Sequence, residues 1–342
     1  MSGNSLPEPR PIREYEGVDR RRFQEEIRPA GQPAILRGLA ADWPAVRAAR
    51  QSDEALVDYL RQRRVERPVK VLVGEPDIAG RFFYRPDMRG FNFTRGNSPL
   101  DPFLDRLLRD RSTPEPYAIA VQSEEIPLLF PGFETENAID LIPPNVVPRA
   151  WIGNRIRVAT HYDLMENIGC VVAGRRRFTV YPPDQISNLY PGPLELTPAG
   201  TPVSMVDRDN PDLGLHPRFA EAAATAQSAL LEPGDAIYLP FHWWHAVDSL
   251  EPVNLFVNYW WNDSNPLAGS PYDALMYALF ALKPLPPEQR AVWRKVFDHY
   301  IFCSSGDPAE HLPPAARGEL GPSTPDLLGR MRATLKQILA RL

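Results

Sequence analysis

The feature that most constrains the fold of this chain is a run of short segments with a period of two. From Trp151 onward, short strand-like segments are separated by Gly and Pro turns, and the first of them alternates between polar and apolar side chains. These segments are 155–160, 167–173, 176–181, 228–231, 236–239, 243–249 and 253–260. Such alternation is typical of β-strands that bury one face. Short strands at this spacing predict a closed or double-sheet antiparallel barrel of the jelly-roll, or cupin, class, with its core at about residues 151–262.

Prolines, 39 of them, punctuate the whole chain and favour short elements over long helices in its first three quarters. Upstream of the barrel core, segments 32–38, 69–73 and 117–121 read as further strands. We expect residues 1–14, which are polar and rich in proline, to form a flexible arm. Residues 15–262 are then expected to form one domain.

The C-terminal region, residues 266–342, has a different pattern. Three amphipathic helices are predicted, over Tyr272–Leu282, over Pro287–Phe302 and after an N-cap at Thr324. Three such helices cannot all bury their apolar stripes against a barrel, so we expect them to pair with a second copy in a homodimer. The predicted fold class is therefore mainly β with flanking helices: a double-stranded β-helix core plus a C-terminal helical region.

Composition limits the classes of partner and compartment. A formal net charge of −5 and a pI near 5.8 argue against nucleic acid or a membrane surface as partner. No stretch of eighteen apolar residues occurs, and the N-terminus has no apolar run typical of a signal peptide. Two cysteines, Cys170 and Cys303, argue against a disulfide framework. We therefore expect a cytoplasmic protein.

His161, Asp163 and His245 are the candidate metal ligands. The first two share parity on a strand, so their side chains can converge on one ion, and His245 lies in a returning strand. Two imidazoles and one carboxylate on one face of an octahedron suit Fe(II) and leave positions for substrate, cosubstrate or O₂. The alternative for a lone His-x-Asp pair is a surface turn. His242 is expected to face away from His245, and the remaining histidines, 216, 299 and 311, lie in predicted loops or on a C-terminal helix.

The segments around these residues resemble the JmjC-type, cupin-like Fe(II)- and 2-oxoglutarate-dependent oxygenases. The similarity is strongest to the branch that contains the asparaginyl hydroxylase that inhibits hypoxia-inducible factor and its bacterial cupin-like relatives. The segments that carry it are PAILRGLAADWP at 33–44, HYDLMENIGCVVAGRRRFTVYPPDQISNLYPGP at 161–193, EPGDAIYLPFHWWHAVDSL at 232–250 and VNYWW at 257–261. The resemblance covers roughly residues 30–262. It implies a double-stranded β-helix with iron on His161, Asp163 and His245.

The same resemblance implies a 2-oxoglutarate site. Family members hold the distal carboxylate of the cosubstrate with a Lys in the strand after the His-x-Asp strand, and the matching residue here is Arg176. A guanidinium can bind a carboxylate bidentately. Asn167 and Asn258 match asparagines around the cosubstrate and metal. The family hydroxyl three residues before the first His is Val158 here, so either Thr160 replaces it or fewer bonds hold the cosubstrate.

These expectations define an enzyme that uses Fe(II), O₂ and 2-oxoglutarate to hydroxylate a protein side chain or a small molecule, with release of succinate and CO₂. The Asp ligand favours hydroxylation or demethylation over halogenation, since the iron halogenases lack this carboxylate. Two alternatives stay open at this point. One is a non-redox cupin, such as an isomerase with Zn or Mn, and the other is a non-catalytic binding protein.

Overall fold

The computed structural model describes residues 6–264 and 267–341. The chain separates into two compact units, Met1–Asn262 and Asp263–Leu342. The first unit contains fifteen strands within the described residues. They are β1 (Arg10–Pro11), β2 (Arg13–Glu16), β3 (Ala34–Arg37), β4 (Pro68–Gly74), β5 (Arg81–Phe82), β6 (Phe93–Pro99), β7 (Ala118–Glu125), β8 (Pro148–Gly153), β9 (Arg157–His161), β10 (Glu166–Ala173), β11 (Arg176–Tyr181), β12 (Gln227–Leu231), β13 (Ala236–Leu239), β14 (Trp244–Ser249) and β15 (Asn254–Trp261).

These strands form two sheets. The smaller has six strands in the order β1-β12-β11-β14-β9-β5, and the larger has nine in the order β2-β3-β13-β10-β15-β8-β7-β4-β6. An apolar cluster joins them, because Phe178 and Val247 of the smaller sheet pack with Val171, Ile237 and Phe256 of the larger. The fold is thus the predicted double-stranded β-helix core with flanking helices, and the fold-class prediction is confirmed.

Helices cover the other face of the larger sheet. The helices of the first unit are α1 (Arg20–Arg22), α2 (Pro44–Gln51), α3 (Asp53–Arg61), α4 (Leu100–Asp110), α5 (Ile126–Leu129), α6 (Phe133–Glu136) and α7 (Phe219–Thr225). Leu56 of α3 and Leu104 of α4 are buried in the same cluster as Val69, Val121 and Ile152 of the sheet. This packing leaves the opposite face of the sheet for the space between the two sheets.

The prediction of a flexible arm over residues 1–14 is wrong for residues 10–14. Arg10–Pro11 pairs in parallel with β12, and β2 pairs in parallel with β3. Ile12, between these strands, is almost completely buried in the core that joins the two sheets. Residues 1–5 of the predicted arm lie outside the described residues.

The second unit contains the helices α8 (Pro271–Leu282), α9 (Pro287–Tyr300) and α10 (Pro325–Leu339). Thr324 is the N-cap of α10, and its hydroxyl accepts a hydrogen bond from the backbone N–H of Leu327. No residue of α8 or α9 is buried, although both carry large apolar side chains. Among the helices of the described residues, none combines the length and the apolar character needed to cross a membrane.

Candidate metal centre

Two neighbouring strands of the smaller sheet bring the candidate histidines together. His161 ends β9, and in the antiparallel pairing of β9 with β14 its direct partner is His245. The two imidazole centroids are 4.3 Å apart. Asp163 lies two residues beyond the end of β9, and one ligand atom from each of the three residues lies within 4.8 Å of the others. A single metal ion can therefore reach all three.

Backbone carbonyls fix the orientation of both imidazoles. Nδ1 of His161 lies 2.9 Å from the carbonyl oxygen of Ala159, and Nδ1 of His245 lies 3.0 Å from that of Trp243. A carbonyl only accepts, so each Nδ1 must carry the proton and donate it. Nε2 is then left with its lone pair, which is the arrangement that metal-binding histidines need.

Burial also favours the neutral imidazole. Desolvation, with a further contribution from the neighbouring His245, lowers the pKa of His161 to about 4. Imidazolium is therefore disfavoured at neutral pH, and His161 is available as a ligand without a proton to displace.

A relay of hydrogen bonds across the larger sheet holds the Asp163 carboxylate. Its Oδ2 accepts from Asn167 Nδ2 at 3.1 Å and from the Trp260 indole N–H at 3.0 Å. Asn167 Oδ1 in turn accepts from Asn258 Nδ2 at 3.2 Å, and Asn258 Oδ1 accepts from the Trp151 indole N–H at 2.7 Å. Every amide in the relay has a defined orientation, so the carboxylate is positioned before any metal binds.

A cavity of about 570 Å³ lies between the two sheets. The residues that line it include the three candidate ligands, Asn167 and Arg176. The volume is in the range of pockets that enclose small molecules. The candidate metal centre is thus accessible from a cavity large enough for further ligands.

Arg176 is a buried cation that forms no ion pair with any carboxylate of the described residues. It begins β11, is 7% exposed, and its guanidinium carbon lies 4.7 Å from the centroid of the Phe256 ring. Its Nε is buried without a hydrogen-bond partner, and burial lowers the pKa of Arg176 to about 9. A cation in this position is costly unless a ligand pairs with it. The distal carboxylate of 2-oxoglutarate would supply that pair, so the residues present fit this cosubstrate.

Two of the predicted cosubstrate residues have different surroundings from those expected. Thr160 does not line the 570 Å³ cavity; it lines a much smaller one beside Arg208 and Asp209, on the other side of β9. The prediction that its hydroxyl binds the cosubstrate is therefore not supported by its position. Asn258 is also absent from the cavity wall, and both ends of its amide are used within the relay. Its role is to position Asn167.

Sequence reasoning missed the part that Trp151 and Trp260 play in the relay. Neither residue is among the predicted site residues, yet each indole donates its N–H to a polar atom of the site. The available signal was that a buried indole N–H needs an acceptor. His242 lies outside the metal cluster, as expected, and its ring stacks on Tyr162 at 4.6 Å.

A double-stranded β-helix with two histidines and one carboxylate at its opening defines the cupin class of metalloprotein. Residues 20–266 match the family model described as the Cupin-like domain, and the chain belongs to this family. It is similar to the lysine-specific demethylase JMJ31 of Arabidopsis thaliana, at 26% identity over 73% of this chain and 49% of that protein. The chain thus spans about half the length of that relative.

Two further relatives have the same class of domain. The tRNA wybutosine-synthesizing protein 5 of Danio rerio is 28% identical over 81% of this chain and 87% of its own length. The Jumonji C domain-containing protein 5 of Drosophila melanogaster is 28% identical over 70% of this chain and 57% of its own. The resemblance to the JmjC-type, cupin-like oxygenases is confirmed at the level of the family.

Proposed function

We propose that the protein is an Fe(II)- and 2-oxoglutarate-dependent dioxygenase that hydroxylates a protein side chain or a small molecule. The observation that carries the proposal is that one cavity contains both the His161–Asp163–His245 cluster and the buried guanidinium of Arg176, whose Nε has no hydrogen-bond partner. A metal cluster alone would suit several metalloenzymes. A buried cation beside it, with no counterion among the described residues, favours a cosubstrate with a carboxylate.

The residues of the chain have separable tasks in this reaction. His161, Asp163 and His245 would hold Fe(II), which when bound supplies the activation of O₂ and the oxidative decarboxylation of 2-oxoglutarate. Arg176 would orient the cosubstrate through its distal carboxylate. Asn167 and Trp260 keep the Asp163 carboxylate in place, and the apolar side chains of the cavity exclude water. The balanced reaction converts substrate C–H, O₂ and 2-oxoglutarate into substrate C–OH, succinate and CO₂.

Turnover of the cosubstrate tests the proposal directly. Purified protein with Fe(II), 2-oxoglutarate and ascorbate should release succinate, even without primary substrate, and His245→Ala should abolish this release. Absence of both succinate and 2-oxoglutarate binding would overturn the proposal. Metal binding without 2-oxoglutarate affinity would instead favour the non-redox cupin. A cellular role that survives His245→Ala would favour the non-catalytic binding protein.

The proposed partners are a protein or small-molecule substrate and a second copy of the chain, in the cytoplasm. The net charge of −5 is the reason for proposing no nucleic acid. The name of one relative refers to tRNA, so a binding measurement with tRNA is the appropriate check. Saturable binding at physiological salt would contradict the proposal. Cell fractionation would check the compartment.

A further inference from the structure

Strands β4 and β6, at one end of the larger sheet, form part of the cavity wall. In the pairing of β4 with the edge strand β6, Lys70 is opposite Asn97 and Leu72 is opposite Arg95. Cross-strand partners share a face of a sheet, and all four residues line the 570 Å³ cavity. Lys70 and Arg95 are diagonal neighbours on this face, a separation that long side chains can bridge.

The charge of the cavity wall is unbalanced. Of the described residues that line it, Lys70, Arg95 and Arg176 are cationic, whereas Asp163 is the only acidic one. Asp163 is assigned to the metal and Arg176 to the cosubstrate. Lys70 and Arg95 therefore remain as two cations whose role the proposed reaction does not explain.

The acidic residues of the adjacent strand are occupied by other groups. Glu124 of β7 accepts a hydrogen bond from the backbone N–H of Lys70 at 3.0 Å, and its other oxygen lies 3.8 Å from Arg67. Glu125 is paired with Arg149 at 2.9 Å. Neither glutamate lines the cavity. Within the described part of the chain, no carboxylate forms an ion pair with the side chain of Lys70 or Arg95.

Aromatic rings hold Arg95 in place. Its guanidinium carbon lies 4.7 Å from the ring centroid of Phe91 and 5.5 Å from that of Phe93, and these two rings are stacked 4.9 Å apart. Nη2 also lies 3.5 Å from the carbonyl oxygen of Thr197. A guanidinium that is already immobilised on rings loses less conformational freedom when it binds an anion.

We propose that Lys70 and Arg95 bind an anionic group of the primary substrate, a carboxylate or a phosphate. This inference rests on the proposed function for the reaction, and it adds the class of substrate. Both side chains donate charge-assisted hydrogen bonds, which carboxylate and phosphate oxygens accept. The substrate is thus anchored by its anionic group while the carbon to be hydroxylated lies elsewhere in the same cavity.

The distribution of lysines gives a direct test. Lys70 is the only lysine in residues 1–262, and the other three, at 283, 295 and 336, belong to the second unit. Reductive methylation with ¹³C-formaldehyde labels all four and keeps their charge. A Lys70→Arg variant identifies the Lys70 resonance. The full-length protein, saturated with Zn(II) and 2-oxoglutarate, is then titrated with inorganic phosphate and, separately, with acetate.

We expect the Lys70 resonance to shift saturably, while the three other lysines shift weakly and without saturation. Arg95→Met should weaken the apparent affinity about tenfold, as expected for the loss of one charge-assisted hydrogen bond. The matched control is Arg109→Met, which removes an exposed guanidinium of α4 outside the cavity. Tighter binding of phosphate than of acetate would indicate that the substrate carries a phosphate. Tighter binding of acetate would indicate a carboxylate.

A Lys70 resonance that responds no more than the other lysines would overturn the inference, and so would an Arg95→Met protein that titrates like the wild type. These outcomes are independent of turnover, because Zn(II) replaces iron in the titration. Absence of both succinate release and 2-oxoglutarate binding, with saturable binding of the anion at Lys70, would therefore reject the dioxygenase proposal and leave the anion site standing.

Discussion

Arg176 brings a positive charge into the core, and the described part of the protein provides no carboxylate to balance it. Methionine has a similar volume and no charge, so Arg176→Met should raise the melting temperature of the protein without cosubstrate. The same change should weaken 2-oxoglutarate binding about a hundredfold, since two charge-assisted hydrogen bonds are lost. Differential scanning fluorimetry with and without 2-oxoglutarate measures the first effect, and calorimetric titration measures the second.

The neighbouring arginine provides the control for this experiment. Arg177 is exposed and lies on the face of β11 opposite to Arg176, so Arg177→Met should leave the affinity for 2-oxoglutarate unchanged. Arg176→Lys should retain part of the affinity, because the charge is kept and the bidentate geometry is lost. An Arg176→Met protein that binds 2-oxoglutarate as tightly as the wild type would remove Arg176 from the site.

Parity along β9 explains which site residues could be predicted from the sequence. The period of two places His161 on one face of the strand and Thr160, the preceding residue, on the other. The rule that brings His161 and Asp163 together thus argues against Thr160 as a cosubstrate ligand. The role of Asn258 needed the structure, because its two hydrogen-bond partners come from different strands, β8 and β10.

At the scale of elements, the relay from Trp151 to Asp163 couples β8, β15 and β10 to the metal centre. Asn258→Ala breaks the relay and leaves Asn167 free to rotate. We expect a 10–100-fold loss of metal affinity, the range typical when a partner of a metal ligand is removed. Trp151→Phe keeps the aromatic packing, removes the indole donor and should have a smaller effect in the same direction.

Co(II) absorption spectroscopy is a suitable measurement for both variants, because it reports the geometry of the site as well as the affinity. Circular dichroism would show that the sheet is intact. If Asn258→Ala binds Co(II) with the affinity and spectrum of the wild type, the relay has no part in positioning Asp163.

The seven segments predicted from residue 155 onward agree with strands β9 to β15 to within two residues, whereas β8 and the N-terminal strands β1 and β2 were not predicted. The predicted segments are rich in apolar residues and bounded by turns, so local sequence determines them. Arg10–Pro11 carries no such pattern, and its strand exists because β12, more than two hundred residues later, provides a partner. Likewise, α5 and α6 are short helices between prolines and glycines, and they flank Phe130, which is buried in the core of the helical layer.

The buried position of Ile12 makes the N-terminal strands testable. Ile12→Ala should lower the free energy of unfolding by about 2–5 kcal/mol, because it leaves a cavity in the core between the sheets. Urea denaturation measures the change. Arg13→Ala, one residue further and exposed, is the control and should have an effect below about 0.5 kcal/mol. Equal stabilities of the two variants would mean that the N-terminal segment does not contribute to the core.

At the scale of the whole molecule, the second unit carries more apolar surface than a monomer usually exposes. Leu275, Met276, Tyr277 and Phe280 of α8, Val292 and Trp293 of α9, and Leu335, Ile338 and Leu339 of α10 are all exposed. Exposed apolar side chains in this number are typical of an interaction site. We propose that a second copy of the chain covers these side chains, since in an isologous interface the same helices of the two copies pack against one another.

Introducing negative charges at exposed apolar positions of these helices tests the dimer. Phe280 and Val292 are 64% and 60% exposed, so replacing both with Asp should not disturb a core within the unit. In a dimer, however, the two carboxylates would be buried without partners, which is strongly unfavourable. We expect the wild type to elute as a dimer at micromolar concentration in size-exclusion chromatography with light scattering, and the double variant as a monomer. Arg294→Gln, on an exposed position of α9, should stay dimeric. A wild-type monomer, or a double variant that remains dimeric, would show that these helices do not form the interface.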